Sequence, residues 1–213
     1  MATVKELIKQ AESRLDDDNK DVNVAKVLFY HLAKKEPHEL YLMYDQEVDD
    51  ELKKEFLAGM EEYYNGRPIQ YIKGVETFFG RDFKVNEDVL IPRYETEELV
   101  ENILYRIDDY FADYQTITLC DVGTGSGAIA IALEESRLKV YATDISVNAV
   151  NVAKENAKNL NADVEFMVGD MLEPLIDRNI KVDIFVSNPP YIPQEQEIEA
   201  IVKDNEPHVA LFG

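Results

Sequence analysis

The stretch TITLCDVGTGSGAIAIAL, residues 116–133, decides the fold. An alternating apolar strand ends at Asp121, and Gly123, Gly125 and Gly127 then open a helix that runs through Ala128 to Leu133. Glycines at such a turn let backbone approach a ligand closely, and the start of the helix offers free N–H groups. Taken alone the turn is a weak signal, because nicotinamide, flavin and other nucleotide sites share it.

Towards the carboxyl terminus the same grammar repeats. Residues 139–143 read as a strand closed by Asp144, which lies 17 residues beyond Gly127. That is near the distance expected of an acidic residue at a ribose, whose two hydroxyls a carboxylate can accept together. A helix over 147–160 follows, with Ala149, Val152, Ala153, Ala157 and Leu160 at helical spacing. Residues 164–168 form a third strand closed by Gly169-Asp170, where a carboxylate can accept a hydrogen bond from an adenine amine. The fourth is VDIFVSNPPYIP, residues 182–193, whose apolar run stops at Ser187 and gives way to Asn188, Pro189, Pro190 and Tyr191. Proline has a fixed φ and no N–H, so this turn is stiff and its carbonyls lack local donors. Asn188 adds a side-chain carbonyl and Tyr191 an aromatic face, which together suit a planar group bearing an NH2, either an amide or an exocyclic amine. Asp121, Asp144, Asp170 and Asn188 each close a strand. Four polar residues along one edge of an open α/β sheet make one site.

Towards the amino terminus the pattern is different. In IPRYETEELV, residues 91–100, Thr96 is expected to cap a helix through Leu99, Val100, Ile103 and Leu104, with Arg93 and Glu95 as helix-entry charges. Residues 71–74, 75–79 and 81–85 read as short extended segments broken by Gly74 and Gly80, a β-hairpin. Residues 4–65 are helical in period, with Pro37 opening a short helix over 40–44 and Asn65-Gly66 as a stop. The expected organisation is a helical domain at 1–66 that could dock substrate, a hairpin linker at 67–91, and a catalytic domain at 92–213.

Composition narrows the chemistry. The 213 residues carry 43 acidic against 22 basic side chains, a formal charge of −21. Such a charge opposes non-specific binding to phosphate backbones. Cys120 is the single cysteine, so there is neither a disulfide framework nor a thiolate metal cluster, and it is expected to be buried in its strand. His31, His38 and His208 are scattered without partners at metal spacing, so no metal site is expected. Apolar runs are too short to span a bilayer, and a cytoplasmic protein away from membranes is expected.

The combination DVGTGSG, YATDIS, VGDM and SNPPYIP resembles the S-adenosylmethionine-dependent methyltransferases of Rossmann-like α/β fold. Within them it looks like the family that methylates the glutamine side-chain nitrogen (N5) in peptide chain release factors. RPIQYIKG (67–74), FFGRDF (78–83), LIPRYETEELV (90–100) and NEPHVALFG (205–213) are similar to that family too, so the resemblance covers nearly the whole chain. It implies that Gly123, Thr124, Gly125, Ser126 and Gly127 cradle the methionine part of S-adenosylmethionine, and that Asp121 is also a cofactor-binding residue. Asp144 would hold the ribose, and Asp170 with Met171 would border the adenine. Asn188, Pro189, Pro190 and Tyr191 would bind the glutamine amide; Asn188, Pro189 and Tyr191 are the catalytic set, and Asn188 also meets the cofactor. Tyr94 departs from the family, which more often has proline there. Only 26 residues follow Ser187, too few for the helix and strands that complete the family's seven-stranded sheet. A C-terminally truncated domain is therefore expected, with 182–187 as an exposed apolar edge open to self-association. Asn-Pro-Pro-Tyr is shared with adenine-N6 methyltransferases, which act on a flipped base; that alternative suffers from the charge of −21. A non-catalytic cofactor-binding module is the third reading.

Overall fold

A computed structural model describes residues 2–134, 137–193 and 195–212. The chain falls into two compact units, Met1–Lys73 and Gly74–Gly213.

The first unit is helical: α1 (Val4–Asp17), α2 (Asn23–Leu32), α3 (Leu40–Met43), α4 (Asp50–Tyr64) and α5 (Ile69–Lys73). Thr3 and Glu6 start α1 with a reciprocal capping box, each side chain accepting the other's backbone N–H. Asp49 caps α4 by accepting from the N–H groups of Glu51 and Leu52. The apolar faces so aligned meet in one core of Leu7, Ile8, Leu15, Leu28, Phe29, Phe56 and Met60. Phe29 and Phe56 pack edge to face at 5.6 Å. A Cβ on Gly59 would stand 2.9 Å from Leu28 Cδ2, so α2 and α4 approach closely there.

One expectation fails at the end of this unit. Residues 71–73 are helical, not extended: Pro68 supplies a first-turn φ, and its carbonyl accepts from the N–H groups of Tyr71 and Ile72. The hairpin is confined to β1 (Val75–Phe78) and β2 (Arg81–Lys84), paired antiparallel. Phe79 and Gly80 form its two-residue turn, both with positive φ, the turn whose twist matches a hairpin. It lies inside the second unit, where sequence had suggested a linker between two domains.

The second unit continues with α6 (Glu95–Tyr110), β3 (Ile117–Val122), α7 (Ala128–Leu133), β4 (Leu138–Asp144), α8 (Val147–Leu160), β5 (Val164–Val168), α9 (Glu173–Asp177), β6 (Ile184–Ser187), α10 (Ala200–Asn205) and α11 (His208–Leu211). Among the described residues the main sheet is four-stranded and parallel, in the order β5-β4-β3-β6. The chain steps outward from β3 to β4 to β5 and then crosses back to place β6 on the other side of β3. Strand order therefore reverses at β3, and crevices at such reversals are where open α/β sheets bind ligands. Register aligns the carboxyl ends: Val122 pairs with Thr143 and with Ser187, and Asp144 with Val168.

Ile117 and Leu119 face a core built with α7, Val100 and Ile107 of α6, and Phe78 and Phe83 of the hairpin. Cys120, Val122 and Tyr141 face the opposite side with Met167 and Leu175. Cys120 is buried as expected. β6 is an edge strand whose Phe185 is 64 % exposed. Among the described residues no helix is long and apolar enough to cross a membrane.

Candidate active site

Two cavities open at the carboxyl edge of the sheet. The smaller, about 250 Å³, is bordered by Gly123 and Gly125, Asp144, Asp170 and Met171, and Asn188, Pro189 and Pro190. The larger, about 770 Å³, is lined by Arg93, Glu95 and Thr96 of the α6 entry, by Asn188, Pro189 and Tyr191, and by Val202 and Leu211 near the chain's end. Leu90, Asn188, Pro189 and Ala210 belong to both.

Backbone geometry explains why the glycine turn can border a cavity. Gly123 and Gly125 hold φ of +74° and +54°, and a Cβ on either would meet nothing within 4 Å. A side chain there would be strained and would occupy the space before the turn. Gly127 differs: a Cβ would lie 3.1 Å from both Ala153 Cβ and Ile131 Cδ1, so it serves the close packing of α7 against α8.

Asp121 is fully buried beneath this turn. One carboxylate oxygen accepts from Thr124 Oγ1 at 2.7 Å and from the Ala130 N–H at 3.2 Å; the other, Oδ1, has no partner among the described residues. Burial pushes its carboxyl up to about 6, against the pull of those two donors. Asp121, Thr124, Ser126 and Gly127 thus lie behind the cavity wall, while Gly123 and Gly125 line it.

Asp144 ends β4 with both oxygens engaged by backbone, accepting from Gly125 N–H at 2.8 Å and Ser146 N–H at 2.9 Å. It ties the glycine turn to the start of α8. Thr143 Oγ1 donates to the Met171 carbonyl at 2.8 Å and the Asp144 carbonyl accepts from Gly169, which holds the Asp170-Met171 turn against the same edge. Ser187 Oγ donates to the Val122 carbonyl at 2.7 Å, fixing the chain where Asn188 leaves the sheet. Tyr191 lines the larger cavity only and is 79 % exposed.

The α6 entry holds residues that the sequence reading missed or assigned otherwise. Thr96 is not the cap: the helix already starts at Glu95, with Tyr94 at the capping position. Its hydroxyl accepts from Asn188 Nδ2 at 3.3 Å. Arg93 is not a free entry charge but pairs with the buried Glu206 at 2.5 Å, and the other Glu206 oxygen accepts from the Ile91 N–H. Glu97 accepts from the Phe79 N–H in the hairpin turn. Asn156, on the buried face of α8, is a further anchor: it pairs with both the N–H and the carbonyl of Lys84 and donates to the Ser126 carbonyl.

Residues 6–74 match the PrmC N-terminal domain, and residues 103–205 match the methyltransferase small domain. Release factor glutamine methyltransferase of Bacillus cereus is 44 % identical over 214 residues, 99 % of this chain and 75 % of that protein. The chain belongs to the release factor glutamine methyltransferase family. The Bacillus anthracis member is likewise 44 % identical over the same shares, and that of Bacillus subtilis 42 % identical over 99 % of this chain and 75 % of its own. In family terms, both matched domains follow the division of the fold into a helical unit and an α/β unit.

Proposed function

We propose that the chain transfers a methyl group from S-adenosylmethionine to the side-chain amide nitrogen of a glutamine in a peptide chain release factor, in the cytoplasm. The observation that carries this reading is that Asn188 and Pro189 are among the residues shared by the two cavities. A donor in the smaller cavity and an acceptor amide in the larger one would meet there.

The smaller cavity suits the cofactor. The bare backbone of Gly123 and Gly125 leaves room for the methionine part, over a turn shaped from behind by Asp121 and Thr124. Each Asp144 oxygen accepts one backbone N–H and keeps a further lone pair, so the carboxylate can also take the ribose hydroxyls. Asp170 and Met171 fall to the adenine. The bound cofactor supplies an already activated methyl group on a sulfonium. What remains for the protein is alignment.

An amide nitrogen is a poor nucleophile because its lone pair is delocalised. Asn188 Oδ1 and the Pro189 carbonyl accept its two N–H bonds, with Pro190 keeping the backbone stiff and Tyr191 packing on the amide plane. With both hydrogens held, the nitrogen can pyramidalise towards the methyl, and acceptors fixed in advance stabilise positive charge as it develops. As the N–C bond forms the methyl–sulfur bond would break to leave a neutral thioether, and the methylated nitrogen would release one of its two hydrogens as a proton to solvent.

The test is mass spectrometry of a release factor after incubation with the protein and S-adenosylmethionine, with duplex DNA as a parallel substrate. One methyl group on a release factor glutamine is expected, and Asn188→Ala should reduce turnover far more than cofactor affinity. Methyl-adenine in place of methyl-glutamine would replace this reading, and equal losses of turnover and affinity would remove Asn188 from its role.

A further inference from the structure

We infer that Thr96 is a positioning residue for the transfer: its hydroxyl anchors the Asn188 carboxamide beside the acceptor nitrogen. The inference rests on the proposed role of Asn188. It goes beyond it by naming what holds that side chain.

Asn188 has little backbone freedom. Ser187 before it is tied to β3 through the Val122 carbonyl, and Pro189 and Pro190 after it have fixed φ. What remains is rotation of the side chain, and the terminal torsion of asparagine is broad and roughly two-fold. Its two ends are chemically opposite, since Oδ1 accepts and Nδ2 donates. A carboxamide turned by half a revolution would aim two N–H donors at a substrate amide that itself presents two N–H donors. That arrangement repels where the other attracts.

The hydrogen bond from Asn188 Nδ2 to Thr96 Oγ1, 3.3 Å, anchors the carboxamide in the first of these orientations. With the amide nitrogen committed to Thr96, Oδ1 is left for substrate. Both side chains are partly buried and both line the larger cavity, while Asn188 alone of the two reaches the smaller one. Thr96 sits in the first turn of α6, whose place is set independently by Arg93 on Glu206 and by Glu97 on the Phe79 N–H. The hydroxyl is thus presented from a braced element. It is not needed as a helix cap, because Tyr94 occupies that position.

The experiment compares Thr96→Val, which keeps the shape and removes the hydroxyl, with Thr96→Ser, which keeps the hydroxyl. Each is assayed on an intact release factor by mass spectrometry, and S-adenosylmethionine binding is measured by calorimetry. Loss of one neutral hydrogen bond predicts a fall in kcat/KM of roughly five-fold for Thr96→Val. Thr96→Ser should stay within about two-fold of the parent, and cofactor affinity should be unchanged in both. In an Asn188→Ala background, Thr96→Val should have no further effect, because its action passes through Asn188. The inference is overturned if Thr96→Val matches the parent, if cofactor affinity falls in step with turnover, or if the two substitutions add. Failure of the parent itself to methylate glutamine would instead refute the proposed function.

Discussion

Asn156 offers the most direct test of how the fold supports the site. Its carboxamide lies on the inner face of α8 and behaves as a detached peptide unit, accepting from Lys84 N–H at 2.7 Å and donating to Lys84 O at 3.0 Å and Ser126 O at 2.9 Å. Asn156→Ala strands the partly buried N–H and carbonyl of Lys84 and the buried Ser126 carbonyl at once. At about 1 kcal/mol of net worth per bond the loss is about 3 kcal/mol. For a unit of this size, that lowers the unfolding midpoint by roughly 6–12 °C. Asn156→Asp sharpens the test, since it restores the acceptor but neither donor and sets a carboxylate against two carbonyl oxygens. Such a group favours its protonated form in the fold, so stability is retained in acid and lost as pH rises. The assay is thermal and urea unfolding followed by circular dichroism at pH 5 and pH 8. A loss below about 1 kcal/mol for Asn156→Ala, or an Asn156→Asp variant as stable as the parent at pH 8, would refute the reasoning.

Asp121 carries a related pH signature: its folded value, about 6, lies above the ordinary carboxylate range, so its protonated form stabilises the fold. That contribution is full below the unfolded value and is lost as pH rises through about 6, so Asp121→Asn should gain stability over the parent between pH 5 and pH 7.5, measured by urea unfolding. Glu206→Ala removes the partner of Arg93 and the acceptor of the Ile91 N–H; because Arg93 is partly solvated, a loss of about 2 kcal/mol is expected, and Glu206→Gln should recover part of it by keeping the acceptor. Cys120 is buried with its thiol pushed up to about 12 by desolvation, so iodoacetamide should label it only under unfolding conditions, a contrast read by intact mass.

The ends of β4, β5 and β6 were legible because each is an apolar run closed by a residue that no strand interior favours: Asp144, Gly169-Asp170, and Asn188 before two prolines; β3 was expected to end at Asp121 but runs on to Val122, just before the glycines. The parallel order was accessible through the alternation of strand and helix. Tyr71–Lys73 misled because Tyr and Ile favour strands and a five-residue helix is too short to display its period. Thr96 misled because an oxygen-bearing residue before an apolar run reads as a cap, whereas the helix had already begun at Glu95. Other contacts are separated too far along the chain for any local pattern to reveal. Arg93 and Glu206 are 113 residues apart, and Asn156 and Lys84 are 72 apart. Asn156 reads as surface on a polar helix until the hairpin is laid against it. Phe185, by contrast, answers to a simple rule: it is exposed because it alternates with buried Val186 on an edge strand.

That Asn188 and Pro189 line both cavities, together with Leu90 and Ala210, has a consequence for inhibition. An adenosine fragment and a glutamine-like amide joined by a short bridge could occupy both chambers together, the second fragment binding at the effective concentration that the bridge sets. Such a bivalent molecule would exploit the distance between the chambers rather than the shape of either one.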